Sequence, residues 1–215
     1  MPLTNLLDRF SVSNLLVRLP ALLLALTLHE LGHGLAAYKL GDPTAKQQGR
    51  LTLNPLKHID PLGLLVLWLA GFGWAKPVPV NPACFRGNRR RSLCLVGLAG
   101  PLTNFLLAFL AALLLALVPP LQSGYALRLM QLILLYNVML GVFNLLPVPP
   151  LDGSRVLQYF LPVRAALAFI RLEPYGPVIL LILIATRSLN RVLLPLVNAA
   201  LNMIISIVVL ITGIS

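Results

Sequence analysis

Apolar positions run through the chain in long blocks broken by short polar stretches. The first block, about residues 15–38, has the length of a bilayer-crossing helix, which needs ~20 mostly apolar residues. It stops at Lys39-Leu40-Gly41-Asp42-Pro43, a strong helix terminator. Residues 40–61 are mixed and polar, and within "AKQQGRLTLNP" (45–55) a short alternation around Gly49 predicts a hairpin or edge strand. Residues 62–75, "LGLLVLWLAGFGWA", are apolar but too short to cross. They predict a re-entrant or interfacial segment with Trp68 and Trp74 as interfacial anchors. "KPVPVNP" (76–82) must then be extended, because its prolines exclude helix. Two further spans follow, at 92–118 and about 125–146, joined by the uncharged turn "PPLQSG". The prolines of "NLLPVPPLDGSR" (144–155) break the third span just before Asp152. Beyond it, 152–173 reads as partly amphipathic and interfacial, and 174–186 with 189–213 supply one or two more membrane segments. The pattern predicts an all-α polytopic membrane protein forming one integral-membrane domain over 1–215.

Composition strengthens that reading. The chain is 58% hydrophobic with only 11% charged residues, where soluble domains carry about a quarter charged. The mean hydropathy is +0.88. A net charge of +11 invites a nucleic-acid partner, but the basic residues flank apolar segments as the positive-inside rule expects, so no nucleic acid is expected and the lipid bilayer is the partner. Residues 39–61 hold four basic residues, 76–91 hold five, 152–173 hold three and 119–124 none. This distribution puts 39–91 and 152–173 on the cytoplasmic side and 119–124 outside, as in a bacterial-type plasma membrane; Arg9 and Arg18 run against it. Cys84 and Cys94 lack metal-knuckle spacing and read as free thiols on the reducing side. The first span carries the chemistry described next, so it is expected to be retained and not cleaved as a signal peptide.

That chemistry is "TLHELGHGLAAY", 27–38. Ionisable groups at membrane depth are costly and are functional candidates by default. His29-Glu30-Leu31-Gly32-His33 is an H-E-x-x-H. On a helix, positions i and i+4 share a face, so both imidazoles can reach one zinc ion while Glu30 takes a proton from a water at the metal. A catalytic zinc site uses three protein ligands and an open position, so a third ligand must come from elsewhere. Asp152, freed by the proline break, leads over Glu173 and Asp60. Taken alone it is equally a helix N-cap ahead of "GSRVLQYF".

"HELGH" at 29–33 and "NLLPVPPLDG" at 144–153, in that order, resemble the site-2 protease family of intramembrane zinc metalloproteases. "GPLTN" at 100–104 and "NPLKHIDPLG" at 54–63 look like family segments as well. The resemblance covers about residues 15–160, taken as the catalytic core, and leaves 161–215 as C-terminal helices. It implies a core of three membrane helices with a small β-rich, membrane-associated loop after the first. It implies one Zn2+ per chain held by His29, His33 and Asp152, with Glu30 as general base. The implied substrate is a single-pass transmembrane protein, cut near the cytoplasmic face. The six-residue 119–124 connection leaves no room for the PDZ domain some members insert there, and with no CBS module expected the chain resembles a minimal form.

Other polar residues have two readings each. Asn144 resembles a family asparagine that contacts substrate or the oxyanion, or it caps freed backbone. Asn104 with Gly100 resembles a family G-x-x-x-N pattern, or marks close helix packing. His58 stabilises transition-state charge or satisfies loop backbone. An unwound substrate needs new backbone partners, and Arg50, Leu51, Thr52 and Leu53 are the expected strand clamp, with 76–81 shaping the entrance. Two rival functions remain: a divalent-metal transporter or metal-binding membrane protein, which would spread acids and histidines along a path, and an inactive scaffold, which would have lost Glu30 or a ligand.

Overall fold

The computed structural model describes residues 12–61, 63 and 75–214. Helix α1 (Val12–Lys39) ends at the expected terminator and is followed by the short α2 (Thr44–Gln47). Helix α3 (Arg89–Leu117) is capped by Asn88, whose side chain accepts from the Arg91 N–H at 3.1 Å. Helix α4 (Gly124–Asn144) returns, and α5 (Asp152–Phe160), α6 (Val163–Ile170), α7 (Gly176–Ala185) and α8 (Ser188–Thr212) complete the described chain. Among the described residues, five stretches are long and apolar enough to cross a membrane: Leu16–Lys39, Arg89–Leu117, Gly124–Asn144, Val163–Ala185 and Ser188–Thr212.

Helix α3 is the centre of the bundle, packed against α1, α4, α5 and α8. Its inward face is made of small residues, Gly97, Gly100, Ala108, Ala111 and Ala112, whereas Leu102, Leu106, Leu110 and Leu114 point outward and are exposed. Small residues let backbones approach closely, and in lipid that close approach is a main source of helix association. Gly32 of α1 shows it directly, since a Cβ there would strike the Thr103 hydroxyl and lie 3.0 Å from the Ala99 carbonyl. A second layer of apolar contacts joins Ala108 and Ala112 of α3, Val138 and Val142 of α4, and Leu189, Leu193, Val197 and Ile204 of α8.

The β-rich loop is not formed by the described residues. Among the described residues there is no strand, only an isolated antiparallel bridge between Ile59 and Ala75. The reason is local. The Arg50 N–H turns back to the Ala45 carbonyl at 2.8 Å, and the Thr52 carbonyl is taken by the His58 imidazole at 3.0 Å. Across from them, Pro77 and Pro79 have no N–H with which to build a ladder. The expected re-entrant segment, with Trp68 and Trp74, lies outside the described residues.

Candidate metal centre and catalytic site

His29 and His33 lie on one face of α1, and Asp152 opens α5 beside them. His33 Nε2 is 3.0 Å from His29 Nε2, and Asp152 Oδ2 is 3.3 Å from His29 Nε2 and 3.0 Å from His33 Nε2. Zinc bonds of about 2.0–2.1 Å in a tetrahedron place neighbouring ligand atoms about 3.3–3.4 Å apart. One of the three separations matches an edge of a zinc tetrahedron, and the other two, at 3.0 Å, fall a few tenths of an ångström short of it.

The remaining ring nitrogens decide what those atoms offer. His29 Nδ1 donates to Asn104 Oδ1 at 2.6 Å, and His33 Nδ1 donates to the Val96 carbonyl at 2.7 Å. Each neutral ring thus turns an Nε2 lone pair toward the other and toward Asp152. Asp152 Oδ2 is buried and carries no hydrogen bond. Two imidazole lone pairs and a carboxylate oxygen converging in a buried space require a positive charge among them. His29, His33 and Asp152 form a cluster able to hold a metal.

Each ligand is placed by an identifiable device. Gly100 of α3 leaves the room the two imidazoles occupy. Asn104, one turn further along, is fully buried; its amide nitrogen donates to the Ala25 carbonyl at 3.2 Å and to Asn137 Oδ1 at 2.8 Å. Asn137, also fully buried, donates to its own helix at the Ile133 carbonyl. A chain of side-chain amides from α3 to α4 therefore fixes the tautomer and tilt of His29.

Asp152 is brought in by the proline loop. Leu146 and Leu151 sink into the core, and Gly153 lies so close to the Leu145 carbonyl that any Cβ would overlap it. Asp152 is the first residue of α5, not its cap: Leu151 holds the cap position and no side chain caps this end. At the other end, the Arg90 guanidinium donates to the carbonyls of Gln158, Tyr159 and Leu161, satisfying the last turn of α5. α5 is thereby clipped to the start of α3, and near its own start it crosses α3 at Gly97, where an added Cβ would lie 3.1 Å from the Asp152 carbonyl.

Glu30 is buried, and its Oε2 accepts the Val78 N–H at 2.7 Å. The rival third ligands are elsewhere. Asp60 Oδ1 caps the Gly63 N–H at 2.8 Å, and exposed Glu173 accepts from Gln158. His58 is buried, with Nε2 at the Thr52 carbonyl and no partner for Nδ1. Asn144 donates to the Leu140 carbonyl at 3.0 Å at the end of α4. In the expected clamp, Arg50 is buried with its guanidinium on the Lys76 and Pro77 carbonyls, and Leu51 packs over Gly34 of α1. Thr52 and Leu53 lie in bends. Asn137 and Val78 carry no motif. A polar residue inside an apolar span was the available signal for Asn137; Val78 acts through its backbone and gives none.

Comparison with known proteins agrees with this geometry. A model described as Peptidase family M50 matches residues 119–185, the segment that carries Asp152. "Putative zinc metalloprotease YwhC" of Bacillus subtilis is 41% identical over 193 residues, covering 86% of this chain and 88% of its own length. "Putative zinc metalloprotease Rip2" of Mycolicibacterium smegmatis is 35% identical over 175 residues, 79% of this chain and 66% of its own. "Zinc metalloprotease MJ0392" of Methanocaldococcus jannaschii is 29% identical over 140 residues, 65% of this chain and 33% of its own. No solved structure matches. With His29 and His33 of the H-E-x-x-H helix meeting Asp152 of α5 in a buried cluster, and a relative of this extent, the chain belongs to peptidase family M50, the site-2 proteases, and is a zinc metalloprotease.

Proposed function

We propose that this zinc metalloprotease cuts transmembrane protein substrates inside the bilayer, near its cytoplasmic face. The observation that carries the reading is the convergence of His29 Nε2, His33 Nε2 and Asp152 Oδ2 at 3.0–3.3 Å within a bundle of apolar helices. One zinc per chain fits that cluster, and when bound it supplies Lewis-acid polarisation of a carbonyl and acidifies a water. Glu30 takes the proton of the attacking water and delivers it to the leaving amine. Asn104 and Asn137 hold the His29 ring so that only Nε2 faces the metal. His58, bonded through Nε2 to the Thr52 carbonyl with Nδ1 unpartnered, and Asn144, bonded to the Leu140 carbonyl, stay candidates for contact with substrate or the oxyanion.

Depth and orientation follow from α1. His33 and His29 lie six and ten residues before Lys39, so at ~1.5 Å per residue the site is roughly 9–15 Å below that end of the helix. The basic segments 39–61 and 76–91 gather at this end, where the Arg86 N–H meets the Leu40 carbonyl and Arg50 meets Lys76. The uncharged turn lies at the opposite end, where the Tyr125 hydroxyl donates to the Leu16 carbonyl. Positive-inside logic makes the basic end cytoplasmic. A helical substrate hides its peptide bonds in i to i−4 hydrogen bonds, so it must unwind locally before one carbonyl reaches the site.

The test is a cleavage assay on a purified transmembrane substrate, with zinc content measured alongside. Glu30→Gln should keep about one zinc per chain and lose cleavage, while Asp152→Ala should lose zinc as well. Cleavage at the wild-type rate by Glu30→Gln would refute the assignment.

A further inference from the structure

The stretch 75–81 runs extended across α1 and is tied down at three places. At one end the Lys76 N–H donates to the His58 carbonyl at 2.9 Å, and its own carbonyl accepts from Arg50 at 2.7 Å. At the other end the Asn81 N–H donates to Asp42 Oδ2 at 2.6 Å, and Asp42 is fully buried. Midway, the Val78 N–H donates to Glu30 Oε2 at 2.7 Å. The Val78 side chain rests on the same face of α1, one turn beyond Glu30. A Cβ on Gly34 would come within 3.2 Å of Val78 Cγ1.

The local sequence is Lys-Pro-Val-Pro-Val-Asn-Pro. Proline has no N–H and fixes φ near −65°, so Val78 holds the one backbone donor of residues 77–79. That donor is spent on the carboxylate, and no neighbouring donor competes for it. The terminal torsion of a glutamate is broad and roughly two-fold, so a lone Glu30 would present either oxygen in many orientations. A charge-assisted bond to one oxygen removes that freedom.

We propose that the Val78 backbone N–H is the positioning group for Glu30: it fixes Oε2 and leaves Oε1 as the oxygen that exchanges a proton with water and leaving amine. This rests on Glu30 as the base. The flanking prolines serve the same end, keeping the strap extended and presenting a single donor at one height above α1. The strap is then part of the catalytic apparatus through its backbone, which explains why its side chains carry no chemistry.

Two substitutions separate the N–H from the packing. Val78→Pro keeps apolar bulk and removes the donor; Val78→Ala keeps the donor and removes bulk. With zinc content and KM unchanged, kcat should fall about 10- to 100-fold in Val78→Pro, the worth of a hydrogen bond to a charged group, while Val78→Ala retains most of it. A second measurement needs no activity and no metal. In Glu30→Ala, hydrogen exchange at the Val78 amide should quicken about tenfold or more, with the Lys76 and Asn81 amides unchanged. If Val78→Pro loses zinc or fails to fold, this exchange measurement decides the matter. Wild-type kcat in Val78→Pro, or unaltered Val78 exchange in Glu30→Ala, overturns the proposal while Glu30→Gln inactivity leaves the base assignment standing. A fully active Glu30→Gln overturns both.

Discussion

Gly100 of α3 stands directly against the imidazole of His33 in α1. A single added carbon would fall on His33 Nε2 and on Cε1 of both His33 and His29. The glycine is therefore part of the metal centre's shape, though it donates nothing to the metal. Gly100→Ala should push both rings off the position they share with Asp152 and weaken zinc binding by at least about tenfold, as loss of ligand support does elsewhere. Competition with a fluorescent chelator would measure it. Gly97→Ala is the control: its added carbon meets the Asp152 carbonyl at 3.1 Å and Arg155 Cβ at 3.3 Å, a tighter fit without a ring in the way.

Asn104 should matter for a different reason. Its Oδ1 is the acceptor that keeps the proton of His29 on Nδ1. Asn104→Leu leaves that proton without a partner in a buried site, and should cost about 10- to 100-fold in zinc affinity. Asn137→Leu removes a support one step further out, so its effect should be smaller and of the same sign. The reverse order of severity, read by the same chelator competition, would contradict the relay from α4 to α3 to α1.

Asp42 gives the strap a pH dependence. Burial pushes its carboxyl up, but the hydroxyl and N–H of Thr44 and the N–H of Asn81 outweigh burial and hold it below the usual range. A carboxyl depressed in the native state adds stability that is complete above its unfolded value, about 3.9. That stability drains away as pH falls through the native value. The purified protein should therefore lose thermal stability on acidification in this range. Asp42→Asn should be less stable than wild type at pH 7 and flatter across the acid limb.

Membrane orientation can be read with thiol reagents. Native Cys84 is exposed near the basic end of the bundle, and Cys94 is buried. Ser123 is exposed in the opposite turn. In intact cells a Ser123→Cys protein should react with an impermeant maleimide, and Cys84 should react only after permeabilisation. The inverse pattern would turn the protein over in the membrane.

Much of the site was legible because membrane burial makes polar residues conspicuous. His29, Glu30 and His33 stood out in an apolar run, and Asp152 stood out behind a proline break; the structure brings His29, His33 and Asp152 together in a cluster able to hold a metal. The first three helical spans were legible from length and hydropathy, with ends displaced by a few residues, whereas the span Val163–Ala185 takes in residues read as interfacial. The hairpin or edge strand expected from alternation at 45–55, and the β-rich loop the resemblance implied, are not seen among the described residues for reasons invisible to periodicity: a guanidinium and an imidazole consume carbonyls a ladder would use. Asn104 was legible as a residue but not as a partner of His29, since helix-to-helix register is a property of packed surfaces. Val78 was illegible in principle, because a backbone N–H has no letter in the sequence.

The origin of the third ligand has a consequence for biosynthesis. α1 emerges first and carries two imidazoles and the base; Asp152 arrives only after α3 and α4 have been made and the proline loop has folded back. On the proposed ligand set, a partly synthesised or partly assembled chain would hold two of three ligands and would be expected to grip metal weakly. If His29, His33 and Asp152 hold the ion as proposed, completion of the bundle and the arming of the enzyme are one event, because the ion would join α1 to α5 before any cleavage could begin.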